Sequence, residues 1–200
     1  MKITNITQLR DIYGEAKGRA KSKVLPALEK HGINFINQSP FMILSSVSAD
    51  GKMDASPRGG QQGFVKVLDK QTILVPDAKG NNRVDSLGNI VETGKVGCLF
   101  MVPGIDETLR LNGTCHITTD AEMLAHFAAD TKAPITVLVI EIEEVFLHCA
   151  KAFMRSKLWD ASAQVNPDDF PTMGRMLKDQ LGVGELESRE DMRKRYAPDL

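Results

Sequence analysis

Three short stretches concentrate the side chains that can do chemistry: MDASPRGG (53–60), DAKGNNRVDSLGNI (77–90) and HCAKAFMRSKLW (148–159). If the first is a strand, Asp54, Ser56 and Arg58 share one face, because side chains two apart point the same way. Pro57 cannot donate to a ladder, which places this strand at an edge or a bulge. A hydroxyl and a guanidinium beside accessible glycine backbone can bind a phosphate or a polar heterocycle. A surface arginine near an ordinary turn uses the same residues.

The second stretch separates an apolar run, TILVP, from a helical pattern. Gly80 and paired asparagines are costly inside regular structure and cheap at a junction, where the first N–H groups of a helix lie unpaired and can hold an anion. A helix starting near Asn81 or Asn82 is capped by their side chains and has Arg83 in its first turn. The helix dipole disfavours a cation there, unless an anion sits between them. A capped turn and a phosphate cradle both fit at this point. In the third stretch His148, Lys151, Arg155 and Lys157 accompany Trp159, the only tryptophan. Cations beside an indole suit a planar anion, and equally an amphipathic helix whose cations are solvated. LRLNG places Arg110 and Asn112 on one strand face, toward solvent or a site.

Metal chemistry has little support. Cys115 and His116 are adjacent, so on a strand they point to opposite faces, and no CxxC or HExxH is present. No orienting group marks a thiol as a nucleophile, and Cys98 within VGCLF reads as a small core residue.

The elements that must position these residues follow from the patterning. FMILSSVS, a turn at ADGK and MDASPRG read as strand, turn, strand, followed by strands at FVKVLD and QTILVPD. Val84, Leu87 and Val91 give a helical face ending near Gly94. Strands follow at KVGCLFMVPG and ETLRLNGTCHIT. A short helix comes next, with Thr119 as N-cap, Glu122 in the capping-box position and Leu124, Phe127 and Ala128 as its stripe. ITVLVIEIEEVFLH closes the β-rich region. Two short helices are expected between Ile6 and Lys30. Hairpin-linked strands with few intervening helices predict a mainly β fold with helices, an antiparallel or mixed barrel under helical cover. The expected organisation is N-terminal helices over 1–38, a core over 39–159 and a helical arm over 160–200, one domain overall.

With 200 residues and 42% hydrophobic composition the chain suffices for one substantial core. Twenty-five basic against 26 acidic side chains leave no global field for nucleic acid or an anionic membrane, so any anion site must be local. No apolar run approaches the ~20 residues of a membrane span, the N-terminus lacks a signal-like apolar core, and three cysteines suit a reducing compartment. The expected location is cytoplasmic.

Taken together, FMILSSVSADGKMDASPRGG, ILVPDAKGNNRVDSLGNI, VGCLFMVPGIDETLRLNGTCHI and HCAKAFMRSKLW resemble the pyridoxamine 5′-phosphate oxidase-like flavin-nucleotide-binding proteins, over roughly Pro40 to Trp159. The resemblance implies a split β-barrel and a homodimer with FMN in a cleft between subunits. It places Ser56, Arg58 and Gly59 at the flavin, the backbone of Val75 and Pro76 along it, and Asn81, Asn82 and Arg83 at its phosphate. Arg155, Ser156 and Trp159 fall in the late segment that reaches toward the flavin of such dimers. His148 and Lys151 become candidates to orient a substrate. The tail REDMRKRYAPDL does not reproduce the C-terminal substrate segment of true pyridoxamine phosphate oxidases. The expected function is therefore an FMN-dependent oxidoreductase acting on another small molecule. The alternatives are a flavin carrier without turnover, or the same barrel holding a deazaflavin or haem.

Overall fold

The computed structural model describes residues 2–78, 80–184 and 186–199, so Lys79 of the glycine-asparagine stretch lies outside the described residues. Seven strands form one sheet in the order β2-β1-β5-β6-β7-β4-β3, and every paired neighbour is antiparallel. The strands are β1 (Phe41–Val47), β2 (Met53–Gly59), β3 (Lys66–Val67), β4 (Thr72–Asp77), β5 (Lys95–Met101), β6 (Thr108–Thr118) and β7 (Thr136–His148). FVKVLD keeps only two paired residues, because Phe64 and Val65 turn into the core instead of extending the ladder.

The sheet rolls up. β2 and β4 are separated by four strands, about 24 Å if the sheet were flat, yet Arg58 of β2 forms an ion pair with Asp77 of β4. Curling brings the two edges together as an open barrel, the mainly β fold with helices anticipated from the patterning. Alternate residues of the strands fill the interior: Met42 and Leu44, Cys98 and Phe100, Leu109 and Leu111 are all buried. Ser39, itself buried, places its hydroxyl oxygen 2.7 Å from the carbonyls of both Phe41 and Met101, which share its single proton and tie the start of β1 to the end of β5.

Along β7 the alternation breaks, and Val137 to Ile140 are all buried. A second cluster of Leu74, Phe127, Val137 and Val139 packs on the far face of the sheet, with Met123 and Leu124 against it. This end of β7 is covered on both faces, which explains its continuous apolar run.

The helices are α1 (Ile6–Tyr13), α2 (Arg19–Ser22), α3 (Lys30–Gln38), α4 (Asp85–Thr93), α5 (Ala121–Ala125), α6 (Lys151–Ser156), α7 (Met173–Leu181) and α8 (Arg189–Tyr196). α1 and α2 occupy the expected N-terminal region but bury nothing. Before β1, the helix that packs on the barrel is α3, which the patterning of HGINFINQ did not announce. It buries Ile36, and the Glu29 carboxylate caps it by accepting from the N–H groups of His31 and Gly32. Those bonds hold Glu29 below the usual carboxylate range. Two further expectations are corrected. Asp120, not Thr119, caps α5. On α4 the core face is Ser86, Leu87 and Ile90, while Val91 is exposed.

The chain divides into two units, 1–156 and 157–200. The second consists of α7, α8 and short 3-10 turns, with Thr172 and Ser188 capping the two helices. None of its described residues is fully buried. No helix among the described residues is long and apolar enough to cross a membrane.

Candidate flavin site

A cleft of about 640 Å³ opens where β2, the end of β4, the loop into α4 and the start of β7 converge. Its lining includes Ser56 and Arg58 from β2, Asn81, Asn82 and Arg83 from the loop, and Thr136 from β7. Alternation along β2 turns Asp54, Ser56 and Arg58 inward while Met53, Ala55, Pro57 and Gly59 are exposed, as the sequence predicted.

The approach to α4 differs from the expected cap. The helix starts at Asp85, its N-cap is Val84, and no side chain caps it. Asn81 instead folds back, its Oδ1 accepting from the Arg83 N–H at 3.1 Å. Asn82 and Val84 adopt left-handed backbone, with φ of 61° and 51°. For a β-branched valine that conformation is strained, of order 1–3 kcal/mol. The result is a nine-residue helix whose first N–H groups are left for a ligand or water. Arg83 lies in the loop, not in the first helical turn, and its Nε donates to Asp85 at 2.8 Å. Asp54 fixes this end of the helix by accepting from the hydroxyl of buried Ser86.

Several polar groups of the cleft wall lack protein partners. Arg58 Nε and Thr136 Oγ1 are buried without a hydrogen bond, which is uncommon in native interiors. Ser56 and Asn82 make no side-chain hydrogen bond among the described residues. Unsatisfied donors from β2, the loop and the helix end are what a ligand with several acceptor oxygens requires.

Other predicted residues lie elsewhere. The Val75 side chain is in the core and Pro76 is half-buried, leaving only their backbone for a ligand. A Cβ on Gly59 would meet Pro40 O at 3.5 Å, ordinary contact, and Gly59 is not in the wall. Lys151, Arg155 and Ser156 are exposed on α6 and outside the cleft lining. Trp159 belongs to the second unit. His148 ends β7, its ring 4.9 Å from that of Phe146. Burial, with Arg110 and Lys23 nearby, lowers its pKa below the ordinary value. Arg110 and Asn112 do share a face, and both donate to Glu144, at 3.0 and 2.7 Å. Asp77, Thr136 and Ser86 were not singled out by sequence. Pro76, a second proline in a strand, was the signal that β4 has an open edge there.

Two of the three thiols, Cys98 and Cys115, are inert by position. Burial pushes Cys115 up to about 12 and Cys98 further still, whereas Cys149 is exposed. The native protein is expected to react with a thiol reagent at pH 8 through Cys149 alone, and at all three cysteines once unfolded. A native count above one would contradict the buried placement. Among the described residues there is no group of three or more histidine, cysteine, aspartate or glutamate side chains able to hold a metal.

The chain is similar to several solved proteins at low sequence identity. HupZ of Group A Streptococcus superposes with a TM-score of 0.50 at 18% identity, covering 60% of this chain and 93% of that one. A putative pyridoxamine 5′-phosphate oxidase from Lactobacillus delbrueckii gives 0.47 at 24% identity, covering 61% and 95%. An FMN-binding protein from Syntrophomonas wolfei gives 0.45 at 16%, covering 58% and 81%. No curated protein matches the sequence significantly. The family model for pyridoxamine 5′-phosphate oxidase matches residues 28–149, more than half of the 200 residues. The chain therefore belongs to the pyridoxamine 5′-phosphate oxidase family.

Proposed function

We infer that the protein is an FMN-dependent oxidoreductase of this family, acting on a small molecule other than pyridoxamine 5′-phosphate. The observation that carries this reading is the uncapped α4 end meeting Ser56, Asn82, Arg83 and the orphaned Arg58 Nε around one cleft. FMN supplies hydride and single-electron chemistry through its isoalloxazine. The chain holds and orients it. Arg83, the amides of Asn81 and Asn82 and the first N–H groups of α4 take the phosphate, while Ser56 and Arg58 bind its polar parts. Gly59 and the backbone of Val75 and Pro76 complete the assignment by resemblance.

The working form in this reading is a homodimer with FMN at the subunit interface. The outward face of the sheet supports it: in register across β2, β1 and β5 lie Pro57, Ile43 and Leu99, with Phe41 and Met101 one row away. All are half-buried or exposed. An apolar strip of this kind next to the cleft suits a second sheet packed upon it. Arg155, Ser156 and Trp159 approach the flavin across that boundary, and His148 and Lys151 orient the substrate. Three free cysteines fit a cytoplasmic location.

The absorption spectrum of purified protein tests this reading. The flavin bands are expected, with FMN released on denaturation and bleaching when a reduced nicotinamide or another donor is added. A haem spectrum, or a colourless protein that gains no thermal stability from added FMN, would overturn it. A yellow protein that no donor reduces is a carrier.

A further inference from the structure

An antiparallel sheet that curls without closing has two open edges, and each is a row of unpaired N–H and C=O groups ready to zip onto any strand in reach. β2 is one edge along its whole length. β3 covers β4 only opposite Ile73 and Leu74, so Val75 to Asp77 form the other. Arg58 and Asp77 of these edges line the same cleft, and each edge carries a proline one residue earlier, Pro57 and Pro76. A proline cannot donate to a new ladder, so these two positions obstruct zipping of the seam.

Immediately after each proline comes a charged residue, and those two meet. Arg58 and Asp77 form an ion pair whose side chains are only 19% and 14% exposed. We propose that Arg58 and Asp77 form a clasp that sets the width of the open seam, with Asp77 as the positioning residue that holds Arg58 in the cleft wall. The prolines keep the edges from merging, and the clasp keeps them from spreading. Holding Arg58 by one nitrogen leaves its Nε, buried and unpartnered, as the group that a ligand completes. Ligand binding and closure of the seam are then coupled through one guanidinium. The ligand half of this proposal rests on the flavin reading above; the clasp half does not.

The test is a double-mutant cycle on the full chain with Arg58→Ala, Asp77→Ala and both together, followed by thermal unfolding without flavin and then by FMN titration. Each single substitution is expected to lower Tm by about 5–10 °C, as removal of one partner from a half-buried pair leaves the other uncompensated. The double variant should lose much less than the sum. Asp77→Ala should also weaken FMN binding at least tenfold, although Asp77 as an anion would repel a phosphate. Additive Tm losses, or singles within 1 °C of the parent, overturn the clasp. Unchanged or tighter FMN binding in Asp77→Ala overturns the positioning role. If the alanine singles do not fold, Arg58→Lys and Asp77→Asn carry the same comparison. Failure of the parent to bind FMN would refute the flavin reading while leaving the flavin-free cycle to decide the clasp.

Discussion

Gly113→Ala is expected to leave little or no folded protein. A Cβ at this position would sit 1.9 Å from the carbonyl oxygen of Glu141, a backbone atom of the neighbouring strand. Gly113 lies where the β6–β7 register shifts: Asn112 faces Glu144 and Gly113 faces Ile142, so Glu143 is an extra residue in β7. Such a bulge strengthens the local twist and draws the strands together. It also sets the faces beyond it, turning Glu144 and Phe146 outward beside Asn112 and Arg110 while Val145 stays inside with Leu111. The methyl group can be accommodated only by prying apart the longest pair of strands. That places the cost above about 4 kcal/mol, against a total stability of roughly 5–15 kcal/mol. Gly97→Ala is the control. Its Cβ would meet the Asn112 side chain at 3.0 Å, and a side-chain amide can give way. Soluble yield and thermal unfolding distinguish them; a Gly113→Ala protein melting within a few degrees of the parent would contradict the close approach.

The second large effect concerns the ligand. Arg83→Ala is expected to weaken FMN binding about 10- to 100-fold, since a hydrogen bond to a charged group contributes roughly 1.5–3 kcal/mol. Arg83 is well exposed and paired with Asp85 in a surface ion pair, so its removal should shift Tm by less than about 2 °C. The contrast is informative because Arg58 behaves oppositely: its loss should harm both fold and ligand. The affinity lost in Arg83→Ala should shrink as salt is raised, the mark of a charge partly screened by ions. Equal FMN affinity in the two proteins would remove Arg83 from the phosphate site.

The strands were largely legible because period-two alternation and an Asp-Gly turn are local signals. Even so, the length of β3 and the position of α3 depended on packing that no window contains. HGINFINQ mixes glycine, asparagine and β-branched residues, and it is helical because Ile36 plugs the barrel and Glu29 caps the end. The start of α4 shifted by a few residues because Asn81 spends its side chain on Arg83 rather than on the helix. At the cleft, Ser56, Arg58, Asn81, Asn82 and Arg83 were visible as types and spacing. Asp77 and Thr136 were not, since their relation to Arg58 exists only once the sheet has curled. Lys151, Arg155 and Ser156 stand outside the cleft lining of this single chain, so any role for them depends on a second subunit.

Equilibrium titration of the parent protein with FMN and with riboflavin tests the central claim most directly, because the two differ only in the phosphate that the α4 end and Arg83 are assigned to hold. FMN should bind at least tenfold more tightly than riboflavin, and added inorganic phosphate should compete with FMN. Equal affinities for the two flavins, or no binding of either, would contradict a phosphate cradle at this cleft.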